Sequence, residues 1–257
     1  MRIRAFLSDL DGTLLEPDGS ARPEARRALA AAARAGVPVC PVTSKTVSEL
    51  LALRQHLGVA DPAGFENGAG VLDGQGGIHL LTSAVPVGDL VRVMEDLRRR
   101  TGAPLRGLHE LSEEELAALT ELPVSALQAV RERQATLPVL VDPGWDRRLA
   151  AAVPERPAVR LVRGNRFLHL QGCHDKADVV EMILQLLGER PGTVVALGDA
   201  PNDAGLLAAA DLAVVIPSIQ GPHPGLTARF PGALVAPRPH GLGWADVVGA
   251  MLEARET

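Results

Sequence analysis

Apolar residues fall along this chain in two kinds of block. Short, nearly continuous runs at 2–12, 37–45, 192–199 and 212–217 read as buried strands. Longer blocks at 21–36, 46–58, 175–188 and 202–210 read as helices, and a last one spans 243–254. Pro23 stands early in the first helix and Gly36 stops it; Gly58 stops the second. The stretch 63–77, AGFENGAGVLDGQGG, reads as a further short strand with a turn-rich edge. The resulting βαβαβ alternation predicts an α/β protein with a Rossmann-like parallel sheet covered by helices.

Between about 84 and 173 the pattern changes. Helices are predicted at 87–102, 112–120 and 122–135, with Ser112 and Glu115 matching a capping box. Short strands follow at 137–141, 158–164 and 166–172, and RGNR at 163–166 is a hairpin-turn signal. The organisation expected is a core over 1–83 and 174–257, with an α+β module inserted at 84–173.

The polar residues then gather in a telling way. Asp9 and Asp11 follow the first strand, and Thr43, Ser44 and Lys45 follow the second. Asp199, Asn202 and Asp203 follow the strand at 192–199, while Lys176 begins the helix after the inserted module. In an open parallel sheet the carboxyl ends of the strands form the ligand crevice, so four distant segments meet at one edge.

Composition narrows the chemistry. The 257 residues are 46% hydrophobic and 22% charged, with a net charge of −5 and no basic block, which argues against a nucleic-acid partner. No apolar run approaches the roughly 18 residues of a membrane span, and no secretory signal is evident. The only cysteines, Cys40 and Cys173, are too few and too far apart for a disulfide scaffold, and a cytoplasmic protein is expected. No Cys/His cluster has zinc spacing. Of 26 basic residues only Lys45 and Lys176 are lysines. A chain that uses arginine almost everywhere keeps lysine at two candidate site positions, and the two cations differ in shape and hydration.

Phosphoryl transfer needs such a set. Asp9 and Asp199, with a backbone carbonyl near Asp11 as a third ligand, are expected to hold Mg²⁺, a hard cation that prefers oxygen ligands. Asp9 is then placed to attack phosphorus, with Asp11 protonating the leaving oxygen and later activating water. Ser44 and Lys176 would hold phosphate oxygens, and Asp203 would hold Lys176 or a metal-bound water. Gly12, Lys45 and Asn202 complete the candidate substrate-binding edge.

With these residues in view, the chain resembles the haloacid-dehalogenase-like phosphatase superfamily. DLDGTL matches its first motif, VTSK its second, Lys176 its third and GDAPND its fourth, and the insert resembles the C2-type cap of the sugar-phosphatase branch. Within that branch TSKTVSEL, FENGAG, LTELP with RER, and GNRFLHLQG before DK are most similar to mannosyl-3-phosphoglycerate phosphatases. Two departures from the pattern stand out. Ala177 stands where a glycine often follows the third-motif lysine. Arg133, Gln134 and Ala135 stand where the family has aromatic-Ser-Glu. The resemblance implies Mg²⁺-dependent hydrolysis of mannosyl-3-phosphoglycerate through an aspartyl-phosphate. Arg166, with Arg163, would bind the glycerate carboxylate, and Asn67 is expected to touch substrate; His109, Arg131 and His174 are weaker candidates. Alternatives are a phosphatase of the same branch acting on a sucrose- or trehalose-type phosphate, a phosphomutase, and a non-catalytic binding protein.

Overall fold

The computed structural model describes residues 2–120, 122–155, 158–163 and 167–254. The chain runs β1 (Ile3–Ser8), α1 (Pro23–Arg34), β2 (Val39–Pro41), α2 (Val47–Leu57), and then three short strands, β3 (Ala63–Phe65), β4 (Gly70–Leu72) and β5 (Ile78–Leu80). Next come α3 (Val87–Thr101), β6 (Arg106–Gly107), α4 (Glu113–Thr120), α5 (Val124–Arg131), β7 (Thr136–Leu140), α6 (Asp146–Ala150), β8 (Val159–Arg163) and β9 (Leu168–Gly172). The chain closes with α7 (Val180–Leu186), β10 (Thr193–Gly198), α8 (Ala204–Ala208), β11 (Leu212–Val215), α9 (Pro224–Arg229), β12 (Leu234–Val235) and α10 (His240–Glu253).

Five strands form one sheet in the order β12-β11-β10-β1-β2, every pair parallel. Both faces of β1 are buried because helices cover both sides of the sheet. Phe6 packs into the cluster that holds Trp244 of α10 and Ala25, Ala28 and Leu29 of α1, whereas its neighbour Leu7 packs with Ile183 of α7 and Leu206 of α8. Cys40 lies on the Leu7 side, wholly buried, as its apolar surroundings in sequence predict. The Trp244 indole Nε1–H, which burial would otherwise leave without a partner, donates to the Ser8 hydroxyl at 2.9 Å.

The strand predicted at 63–77 does not extend this sheet. It folds into β3-β4-β5, a small antiparallel sheet tied to the end of β2 by a single parallel bridge between Val42 and Gly64. The break is local: Glu66, Asn67 and Gly68 have positive φ (47°, 59° and 89°), which turns the chain back on itself. Gly68 is required there on two counts, since a Cβ would also lie 2.0 Å from the Asp175 carbonyl oxygen.

Residues 106–172 contribute a separate four-stranded antiparallel sheet, β6-β7-β9-β8. The α3 side chains Leu90, Val93, Met94 and Leu97 cover it, packing on Leu137, Val139, Leu168 and Leu170. The Ser112 capping box forms, with the Ser112 N–H donating to Glu115 and the Glu115 N–H to Ser112 Oγ. The helix expected over 122–135 stops at Arg131, because the Gln134 and Ala135 N–H groups donate to the Glu66 carboxylate, at 2.7 and 3.0 Å, rather than to helical carbonyls. The helix expected from 175 likewise begins at Val180; Asp175 spends its carboxylate on the Ala177 N–H. The hairpin turn expected at 163–166 lies outside the described residues beyond Arg163. Among the described residues no helix is long and apolar enough to cross a membrane.

Candidate active site

The register of β1, β2 and β10 builds the site. Ser8 pairs with Leu197 on one side and Pro41 on the other, so the three strands end at one level and their next residues share one edge. Asp9 follows β1 and donates its N–H to the Leu197 carbonyl; Asp199 follows β10; Val42, Thr43 and Ser44 follow β2. Lys176 and Asp203 enter beneath them. The Lys176 Nζ, 1% exposed, donates to Asp9 Oδ1 at 2.5 Å and to Asp203 Oδ1 at 2.6 Å. The other Asp203 oxygen accepts the Asp199 and Ala200 N–H groups at 3.0 and 2.9 Å. Asp203 is therefore fully engaged, and its work is to hold Lys176 and the turn after β10.

Carboxylate oxygens of Asp9, Asp199 and Asp203 lie within 4.8 Å of one another. Burial first, and then the Asp203 charge, push the Asp9 carboxyl well above its usual range. The same causes lift Asp199 to about 7. Burial depresses the Lys176 ammonium, but the Asp203 and Asp9 carboxylates outweigh it and hold the net pKa above the ordinary lysine value. Three acids against one buried cation leave an excess of negative charge. A divalent oxygen-seeking ion such as Mg²⁺ would relieve it, and the donor set fits that ion. Thr13 Oγ1 donates to Asp199 Oδ1 at 2.9 Å, steadying one candidate ligand. Gly12, at φ 85°, leaves the other oxygen room: a Cβ there would stand 2.7 Å from Asp199 Oδ2.

Asp11, near whose backbone a carbonyl is the expected third metal ligand, sets its carboxylate against Lys45 Nζ at 2.9 Å, outside the carboxylate cluster. Lys45 also lies 3.7 Å from Glu49, whose side chain completes the Thr46 capping box of α2. Both lysines of the chain thus serve carboxylates at the strand ends.

Above the cluster opens a cavity of about 780 Å³ between the parallel sheet and the inserted module. Asp9, Asp11, Gly12, Ser44, Lys45 and Asp199 line its core side, with Asn67 and Asn202. Asn67 Nδ2 donates to Gln171 Oε1 at 3.2 Å across the junction with the inserted module, so it is a bridge as well as a lining residue. Arg163 lines the opposite side, but both its Nε and Nη2 donate to Asp146. Arg166 lies outside the described residues. His109 is exposed, Arg131 donates to the Leu108 and Leu111 carbonyls, and His174 is wholly buried at the junction; none of the three lines the cavity.

Four residues with work to do here are not among the sequence candidates, although Arg133 stands out there as a departure from the family pattern. Glu66, wholly buried, accepts from Gln134 N, Ala135 N and Thr136 Oγ1 and so ties the inserted module to the core. Arg133 Nη1 donates to the Ser44 carbonyl at 3.1 Å and to Thr136 Oγ1 at 2.8 Å while lining the cavity. His169 is buried against the cavity, its pKa lowered to about 3 by burial and then by the charges of Arg133 and Arg163. His240 Nδ1 lies 2.9 Å from the Gly12 carbonyl oxygen and backs that turn.

Residues 6–110 match the haloacid dehalogenase-like hydrolase family. A glucosyl-3-phosphoglycerate/mannosyl-3-phosphoglycerate phosphatase of Persephonella marina is 28% identical, the alignment covering 98% of both chains. A solved structure from Thermoplasma acidophilum matches with a TM-score of 0.75 at 19% identity, over 98% of this chain and 99% of that one. A sugar phosphatase of haloacid dehalogenase subclass IIB matches with a TM-score of 0.71 at 16% identity, over 97% of this chain and 98% of that one.

Proposed function

We propose that the chain, similar to haloacid dehalogenase-like hydrolases over residues 6–110 and alike in fold to solved phosphatases, is a Mg²⁺-dependent phosphatase hydrolysing mannosyl-3-phosphoglycerate to mannosylglycerate and phosphate. The observation that carries the reaction class is the buried Asp9–Lys176–Asp203 chain beside Asp199, at the floor of a cavity large enough for a glycosylated ester. The substrate rests on the full-length likeness to the Persephonella marina protein.

In this reading Asp9 attacks phosphorus with the oxygen not held by Lys176. The bond from phosphorus to the ester oxygen breaks as the Asp9–phosphorus bond forms, and Asp11 gives its proton to the departing glycerate oxygen. Water then attacks the aspartyl-phosphate, Asp11 takes the water's proton, and phosphate leaves with Asp9 restored. The Ser44 hydroxyl and the Lys176 ammonium hold the phosphoryl oxygens, where charge accumulates. Asp9 and Asp199 would hold Mg²⁺, which when bound supplies positive charge against the phosphate. Lys45 keeps Asp11 at the cavity wall.

The test is phosphate release in Mg²⁺ from mannosyl-3-phosphoglycerate, glucosyl-3-phosphoglycerate, sucrose 6-phosphate and trehalose 6-phosphate. A kcat/KM for the glycosyl-3-phosphoglycerates at least about tenfold above the two disaccharide esters, or about 1.4 kcal/mol of transition-state preference, is expected. Equal or reversed values would move the assignment to another sugar phosphate. Migration of the phosphoryl group on the substrate, dependent on an added bisphosphate and without net phosphate release, would make the chain a mutase.

A further inference from the structure

Among the described residues lining the cavity, three side chains are fixed cations: Lys45, Arg133 and Arg163. Two are already matched by acids. Lys45 faces Asp11 and Glu49, and Arg163 makes a forked contact with Asp146. Arg133 is different. Its described partners are the Ser44 carbonyl and the Thr136 hydroxyl, both neutral, and its Nε is shut away from solvent with no partner. Glu66 meets it only through Thr136, whose hydroxyl accepts from Arg133 and donates to Glu66, and that carboxylate already takes two backbone N–H groups. His169 beside it stays neutral and adds no charge. Arg133 is therefore the one fixed cation among the described cavity residues for which no direct ion pair with a described acid is seen.

Its place is specific. Anchored to the Ser44 carbonyl, Arg133 stands beside the residue whose hydroxyl is proposed to hold the transferring phosphate. In a 3-phosphoglycerate ester the carboxylate carbon and the phosphate-bearing carbon are separated by a single carbon. A second anion in the substrate thus falls next to the phosphate subsite. A hexose phosphate has no anion there. With Nη1 engaged by Ser44 and Thr136 and Nε sealed, Nη2 is the nitrogen left to meet a carboxylate, by charge and hydrogen bond.

We infer that Arg133 is the specificity-determining residue of the cavity, taking the substrate carboxylate and selecting phosphate esters with an adjacent carboxylate over neutral sugar phosphates. The inference rests on the function proposed above and deepens it. It also assigns the carboxylate contact away from Arg163, which Asp146 already occupies.

The experiment crosses two substrates with two proteins: mannosyl-3-phosphoglycerate and its neutral carboxamide, wild type and Arg133→Gln. Wild type is expected to favour the carboxylate in kcat/KM by about thirtyfold or more, the range for a desolvated charge pair broken on one side. Arg133→Gln is expected to level the two. If wild type prefers the carboxylate and Arg133→Gln keeps that preference, Arg133 is not the contact, while the proposed function stands. If Arg133→Gln loses the same factor on both substrates, the arginine serves the Ser44 carbonyl or the phosphate, and the inference falls. If wild type itself shows no preference, the glycerate reading fails and takes the inference with it. Should Arg133→Gln not fold, Arg133→Lys makes the same comparison, with the preference reduced about tenfold because charge remains and the planar guanidinium, with its anchor on Ser44, is lost.

Discussion

Replacing Glu66 by glutamine exchanges one carboxylate oxygen for an NH₂ group and leaves shape and backbone alone. Glu66 takes three hydrogen bonds in the structure: Gln134 N on Oε1, and Ala135 N with Thr136 Oγ1 on Oε2. An amide keeps one oxygen. If that oxygen serves Ala135 and Thr136, the NH₂ meets the Gln134 N–H, donor against donor, and a backbone N–H loses its acceptor. A hydrogen bond to a charged group contributes about 1.5–3 kcal/mol, and the two retained bonds weaken because their acceptor is now neutral. The sum is about 3 kcal/mol, and Glu66→Ala, which leaves three donors without partners, should exceed it. The residue also sits where its own N–H donates to the Lys45 carbonyl and the Asn67 N–H to that of Thr43, so the loop carrying Ser44 leans on this turn. Urea unfolding followed by circular dichroism gives the stability change, and phosphate release gives the effect on the site. A Glu66→Gln protein within about 0.5 kcal/mol of wild type would refute the reasoning, since it would mean that the buried carboxylate is not what joins module and core.

Asp9→Asn keeps the side-chain size and removes the attacking charge, and phosphate release is expected to fall by several orders of magnitude with the circular dichroism spectrum retained; near-normal turnover would exclude attack by Asp9. Chelation with EDTA should abolish activity and Mg²⁺ restore it. Because Asp199 titrates at about 7, the Mg²⁺ concentration needed for half-activity should climb as pH drops below that value, and a flat requirement from pH 8 to 5.5 would count against Asp199 as a ligand. His169 is held neutral, with a folded pKa of about 3 below its unfolded value of 6.5. The stability it contributes is whole above about 6.5 and is lost as pH falls toward 3. Between pH 7 and 4.5 wild type should lose about 2–3 kcal/mol more unfolding free energy than His169→Gln, and parallel losses would argue that the ring is not sealed from protons.

Much of the site was legible because its parts lie at strand ends in a fixed order. Asp9, Ser44 and Asp199 each follow an apolar run, and parallel register brings such positions to one edge without further information. Lys176 stood out because a chain rich in arginine keeps lysine there. What escaped sequence reading was pairing across distance. Nothing in RLVRG says that Arg163 will find Asp146, seventeen positions earlier. Nothing in RERQAT says that residues 134–136 will leave the helix for an acid in another segment, because helical periodicity continues through them and a tertiary contact overrides it. The strand at 63–77 was misplaced for the same reason: three successive left-handed residues, only one of them glycine, turn it away from the sheet.

The distribution of amines has a practical side. Both lysine ammonium groups lie at the strand-end site, one wholly buried and one with its side chain only 14% exposed, while guanidinium groups carry the positive charge elsewhere. An amine-directed acylating reagent therefore finds no lysine on the outer surface. Used sparingly, it becomes a probe of cavity access, because the lysine modification it can make falls first on Lys45, and a bound phosphate ester should shield that position.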